Sequence, residues 1–170
     1  MAAQSSAFLD VLKAAGPASD RADKMGLYGW LIGDWTFDAV VNRDDGTQYN
    51  GGGEIYFGWV LEGRAIQDVW ILPGIFHGTT LRVYDPGIDA WHILWNDPLK
   101  QLYTRQIGRA QNHADGRDIV QLGKTETGAL LRWTFTDIAA DSFRWLGERS
   151  TDDGATWWLQ SEFKVRRRAA

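Results

Sequence analysis

The chain has 170 residues, 44% apolar and 24% charged, an ordinary composition for one soluble globular domain with a real core. Its net charge of −4 gives no electrostatic ground for binding nucleic acid, and the lack of cysteine excludes disulfides, thiolate nucleophiles and cysteine-ligated zinc. Tryptophan is the outlier: ten residues, too much apolar area to leave on a surface.

The opening MAAQSSAFLDVLKAAG has no basic start followed by a long apolar run, so it does not read as a secretory signal. Ser5 to Ala15 carries Phe8, Val11 and Leu12 at helical spacing and stops near Gly16-Pro17. Asp20 is placed to cap a second short helix through Met25, Leu27 and Trp30. Residues 1–30 read as a helical cap and 31–168 as the β-structure of the same domain. After Gly33 the period changes to two: Trp35, Phe37, Ala39 and Val41 alternate with Asp34, Thr36 and Asp38. Asp44-Asp45-Gly46 is a hairpin turn, followed by a strand over 48–60 whose Gly51-Gly52-Gly53 suggests a bend or bulge. Further strands read at 64–72, 78–85, 90–96, 100–110, 117–123, 129–137, 142–150 and 156–166, separated by turns such as Asp85-Pro86-Gly87 and Asp152-Asp153-Gly154. Arg166-Arg167-Arg168 reads as a solvated tail. No stretch approaches the roughly 18 apolar residues of a membrane span, and the expected location is the cytoplasm.

Ten strands with short connections must be antiparallel neighbours, since parallel crossovers need a dozen or more residues. Such a meander leaves exposed edges unless it closes, and about ten strands enclose more space than side chains fill. The predicted fold is therefore all-β: a closed antiparallel up-and-down barrel of about ten strands with short N-terminal helices. A packed two-sheet sandwich is the alternative. Helix-grip folds need a long C-terminal helix, but TWWLQSEFKVRRR alternates as a strand. Cone-shaped α+β folds need about three substantial helices before the sheet, and cupins need clustered histidines; His77, His92 and His113 are scattered.

Gly33-x-Trp35 after a short helix resembles the opening of lipocalin-like (calycin) barrels. The stretches GTTLRVYDPGIDAWHILWND (78–97), RWTFTDIAADSFRWLGERSTDDGATW (132–157) and EFKVRRR (162–168) resemble a bacterial family of uncharacterised calycin-like domains of unknown function. The resemblance implies a fold and almost no function. A distant ten-stranded relative, the nitrobindin type, binds haem through a histidine on a late strand. No histidine follows His113 here, so that ligand does not carry over. No cofactor and no metal are expected.

Trp35 is expected at the closed floor, under the N-terminal helix. Trp70, Trp95, Tyr103, Trp133 and Trp145 come from five strands and are candidates to line one lumen. His92 shares a face with Leu94 and Asn96, opposite Trp91, Ile93 and Trp95; it points inward or to solvent according to which face the tryptophans take. His77 reads as a loop residue at the mouth, His113 as solvated. Asp68 and Arg64 share a face with Ile66 and Trp70, so Asp68 is either a pocket acid with a raised pKa or an outward residue paired to a neighbour's arginine. Arg149, on the face of Phe143 and Trp145, is either an anion ligand inside the barrel or a strand-end residue in water. Tyr103, Arg105, Ile107 and Arg109 make an anion-reading wall or a solvent face. No nucleophile elbow or phosphate loop appears, and no acid–base pair demands an enzyme.

The expected function is binding of a small, mostly apolar or aromatic molecule in the cavity, with Trp70, Trp95, Tyr103, Arg105, Trp133, Trp145, Arg149 and His92 as candidate ligand-binding residues. The alternatives are an isomerase-, cyclase- or hydrolase-like enzyme using the cavity, and an interaction module with a solid tryptophan core. The partner expected is the small ligand, with no nucleic acid and no membrane; a homodimer is left open.

Overall fold

The structure, a computed structural model, describes residues 6–169. Ten strands follow one another: β1 (Gly33–Asn42), β2 (Gln48–Val60), β3 (Ala65–Leu72), β4 (Phe76–Asp85), β5 (Ala90–Asp97), β6 (Leu102–His113), β7 (Gly116–Lys124), β8 (Leu130–Thr136), β9 (Ser142–Ser150) and β10 (Trp158–Arg167). Each pairs antiparallel with its sequence neighbours. β10 returns to β1, from Trp35 opposite Arg167 to Val41 opposite Ser161. The sheet is thus a closed up-and-down barrel, not a sandwich, and closure gives both end strands a partner.

The helical preface is shorter than its periodicity suggests. The helices are α1 (Ala7–Leu12) and α2 (Ala22–Gly29), with a 3-10 turn at Ser19–Arg21. The expected Ser5 start lies outside the described residues. α1 stops at Leu12, where the chain beyond it bonds to the end of β2: Lys13 bridges Val60, and the Ala14 amide donates to the Trp59 carbonyl at 2.8 Å. Phe8 and Val11, the expected packing face, are 66% and 79% exposed. Asp20 makes no side-chain cap on α2; it accepts from Arg64 at 2.7 Å instead. No helix among the described residues is long and apolar enough to cross a membrane.

α2 plugs one end of the barrel. Its Met25 and Tyr28, and Leu31 just beyond, are fully buried. Tyr28 meets Trp91 edge-on at 5.0 Å and Phe135 at 6.1 Å. Trp35, also fully buried, donates its indole N–H to the Leu31 carbonyl at 2.7 Å. The opening Gly-x-Trp therefore places an indole at the floor, under the turn that follows α2.

The arginine tail is exposed at Arg166 and Arg168, as its composition suggests, but Arg167 is half-buried. Arg167 lies 4.0 Å over the Trp35 ring and donates to the Trp30 and Ile32 carbonyls at 3.0 Å each. Arg166 pairs with Asp38 at 2.7 Å, and Arg168 with Glu54. These arginines belong to β10 or its end, where alternation gives each a partner on a neighbouring strand or a floor to cover.

The glycine run in β2 makes no bulge. The ladder with β1 continues through Gly51, Gly52 and Gly53 opposite Ala39, Asp38 and Phe37. A Cβ on Gly53 would overlap the Phe37 ring and the Ile71 carbonyl, so the residue is small to admit that ring. The ladder irregularity lies in β10, between Leu159 and Ser161.

The turn before β10 explains the Ser-x-Asp-Asp-Gly-x-Thr motif. Asp152 accepts from the Thr156 hydroxyl at 2.6 Å, the Thr156 amide at 2.9 Å and the Ser150 hydroxyl at 2.8 Å. These bonds, those of Thr156 foremost, hold its carboxyl down to about 2, from 3.8. A carboxylate with a depressed folded pKa stabilises the turn above its unfolded pKa and loses that contribution as pH falls through the folded value. A carbon-13 titration of Asp152 should accordingly show a midpoint near 2, with the turn amides protected until that pH. A midpoint at the ordinary value would show that these bonds do not persist in solution.

Candidate functional site

Alternation along each strand sends one set of side chains into the barrel. At the floor the inward set is Trp35, Phe135, Phe143 and Trp91, closed by α2. At the other end the lumen opens into a cavity of about 260 Å³. Trp70 (β3), Phe76 (β4), Trp95 (β5), Trp133 (β8), Trp145 (β9) and Phe163 (β10) wall it. The rings brace one another: Trp145 stacks on Phe163 at 4.9 Å, Trp133 meets Trp145 at 5.6 Å, and Trp95 meets Trp133 edge-on at 6.2 Å. Glycines make room for them. A Cβ on Gly147 would stand 2.8 Å from the Trp145 ring, and one on Gly78 would overlap Trp95.

Between floor and cavity lies a polar tier. Arg82 is 2% exposed and Asp68 1%. Arg82 Nη1 donates to Asp68 Oδ2, and the Thr80 amide donates to Asp68 Oδ1 at 2.7 Å. The guanidinium also sits 5.4 Å from the Tyr28 ring, 5.5 Å from Phe57 and 5.7 Å from Phe135, so it rests on the floor plug while lining the cavity with Thr80. Buried Gln121 accepts from the Tyr28 hydroxyl at 3.0 Å, and burial pushes the Tyr28 phenol far up, beyond any working pH. The rim is polar too. Asp97 accepts from the Leu99 and Lys100 amides at 3.0 and 3.3 Å, and Asn42 donates to the Leu159 carbonyl at 2.8 Å.

Of the residues singled out in the sequence, the structure brings Trp70, Trp95, Trp133 and Trp145 together around this space. It takes the other four elsewhere. Tyr103 is on the outer face of β6, 48% exposed, and donates to Gln101 at 2.8 Å. Arg105, on the same face, meets His92 Nδ1 at 3.1 Å. His92 also faces outward, because Trp91, Ile93 and Trp95 take the inner face of β5; its Nε2 meets Asp85 at 2.9 Å, which holds the Asp85 carboxyl below its usual value. Arg149 continues the phase of Trp145 and Gly147 but stands at the open end of β9. There it pairs with Asp44 at 3.1 Å and covers Trp158, outside the cavity lining.

Asp68 faces inward, as in the first alternative, and is paired to an arginine of the next strand, as in the second, while Arg64 precedes β3 and pairs with Asp20 at the surface. His77 lies on β4 rather than in a loop, exposed. Sequence reading missed Arg82, Thr80, Phe76 and Phe163. The available signal was Asp68 on the Ile66–Trp70 face, since a buried carboxylate requires a partner on an adjacent strand.

Among the described residues no group of three or more His, Asp or Glu side chains is placed to hold a metal. No histidine lines the cavity, so these residues do not supply the imidazole a haem iron would take. A wider groove of about 660 Å³ runs outside, between α2 and β6, and three of its charged residues are engaged: Asp89 holds Lys24 at 2.9 Å and Tyr84 at 2.6 Å, and Arg109 donates to the Ile88 carbonyl. The lumen is the better-built site, with rings braced by one another and a buried polar floor.

No family model matches the chain, and no curated protein matches it. Among solved structures, the crystal structure of Rv2717c from M. tuberculosis is similar, with a TM-score of 0.63 over 90% of this chain and 99% of that one. The two share 12% sequence identity, so the likeness is one of fold.

Proposed function

We propose that this chain is a binding protein for a small, mostly apolar aromatic molecule held at the open end of the barrel. The observation that carries the reading is the cavity itself: about 260 Å³ walled by aromatic rings from six strands, with a few buried polar groups at one end. Ligand sites are concave, mainly apolar, and orient their ligand with a few polar groups. An apolar cavity of roughly 150 Å³ holds a benzene, so this one suits a molecule of one or two rings. Open space is also what favours binding over a purely structural role for the tryptophans. Asp68 and Arg82 already engage each other, which favours a carrier over an enzyme. The Gly33-x-Trp35 opening and ten-stranded closure support a calycin-like, lipocalin-like kinship.

Titration with the two-ring fluorophore 1-aminonaphthalene tests the proposal. Binding near one equivalent with quenching of tryptophan emission is expected, because four indoles surround the space. Replacing Trp145 with alanine should weaken it about tenfold by removing one wall. Absence of saturable binding would overturn the proposal.

A further inference from the structure

The polar groups bordering the cavity are unevenly satisfied, and the imbalance has a sign. The acceptor at the floor is engaged: Asp68 receives the Thr80 amide on one oxygen and Arg82 on the other, while Asp97, at the rim, receives two backbone amides on Oδ1. The donors are not. The Trp70 indole N–H and Arg82 Nε are buried without a hydrogen-bond partner among the described residues, and both side chains line the cavity. Gln106 and Gln121, deeper in the same lumen, each carry a buried amide nitrogen in the same condition. Turning either amide over would leave an oxygen unpartnered in place of the nitrogen, so the sign of the imbalance rests on Trp70 and Arg82, whose N–H groups are donors only. A buried donor left without an acceptor costs about 1–3 kcal/mol, so an oxygen brought to this floor has something to satisfy.

Charge limits what kind of oxygen. The buried groups beside the cavity are two carboxylates, Asp68 and Asp97, and one cation, Arg82. Arg82 is already neutralised by Asp68. A ligand carboxylate at this floor would therefore enter a desolvated space whose one buried cation is already matched, the remaining lining cation, Lys100, standing exposed at the rim, and would lie against the negative faces of the surrounding rings. An uncharged acceptor avoids that cost.

Resting on the binding function proposed above, we infer that the cavity selects an uncharged aromatic carbonyl compound, its rings among the tryptophans and its oxygen toward Arg82 and Trp70. The guanidinium has several N–H donors, and one nitrogen is engaged by Asp68.

Four naphthalene probes of matched shape test this on the native protein by calorimetry: the methyl ketone, its isopropenyl isostere, the carboxylate and the methylammonium. The ketone should bind about tenfold more tightly than the isopropenyl compound, and more tightly than either ion. The carbonyl stretch of the isotope-labelled ketone should move to lower wavenumber on binding. Arg82→Lys keeps a cation opposite Asp68 but removes the planar fork, so it should bring ketone and isostere close to parity without weakening the isostere. Trp70→Phe removes the indole N–H together with the five-membered ring, so it is read as the ratio of ketone to isostere binding and gives the same test on a second donor should Arg82→Lys fail to fold. Equal binding of ketone and isostere would overturn the inference and leave the binding function standing. Tightest binding of either ion would overturn it too. If no probe saturates, the binding function falls with it.

Discussion

Replacing Trp35 with alanine should destabilise the protein by about 3–5 kcal/mol, the cost of removing a large aromatic side chain from a core. Trp35 is fully buried where β1 begins, between the turn after α2 and the lumen. Its ring meets Phe143 at 5.1 Å and Trp30 at 6.2 Å, both edge-on, so alanine would leave a cavity bounded by rings held on two other elements. Two further losses follow. The Leu31 carbonyl would lose its donor, and Arg167 would lose the face it covers at 4.0 Å. Arg167 also ties β10 to the Trp30 and Ile32 carbonyls, so the substitution loosens the barrel's closing strand as well as its floor. Urea denaturation followed by circular dichroism measures the effect. A folded variant with an unchanged midpoint would remove Trp35 as the floor.

Arg82→Met should cost a similar amount, about 3–5 kcal/mol, for a different reason. The lost contacts matter less than the group left behind. Asp68 is 1% exposed, and without Arg82 it becomes a carboxylate in an aromatic lumen with no cation beside it. A compensating change should therefore restore much of the loss. In Asp68→Asn with Arg82→Met the side-chain oxygen of asparagine can still accept from the Thr80 amide, and no charge remains. Replacing a buried pair by uncharged residues is often neutral or stabilising, whereas removing one partner is not. The double variant should unfold at a higher urea concentration than Arg82→Met alone. If both unfold at the same concentration, the cost does not come from an unpaired Asp68.

These two residues differ in how far the sequence announced them. Trp35 follows a helix and a Gly-x-Trp opening and begins a clean alternation, so its burial at a closed end follows from neighbours in the chain. Arg82 sits between Leu81 and Val83, and the apolar pair makes the opposite face look inward. The same inversion occurs in β6, where Thr104 and Gln106 are buried while Tyr103 and Arg105 face out. A lumen with a polar tier breaks the rule that the more apolar face is the inner one. The error on Arg105 and Tyr103, and the silence about Arg82, have that single cause.

The sequence by itself determined the strands and their direction. Asp44-Asp45-Gly46, Asp85-Pro86-Gly87 and Asp152-Asp153-Gly154 are turns made by adjacent residues, and period-two runs between short turns leave only antiparallel neighbours. The strands expected over 48–60 and 142–150 are β2 and β9 to the residue. Ten such strands also implied closure. Tertiary structure alone decided which face of β4 and β6 looks inward, that Arg82 meets Asp68 from the next strand, and that Arg167 reaches back to Trp35 from the far end of the chain. Local propensity acts over a few residues and is indifferent to which way a strand's two faces turn. That choice is made when ten strands close together and each inward side chain must find space, a ring or a hydrogen-bond partner among residues remote in sequence.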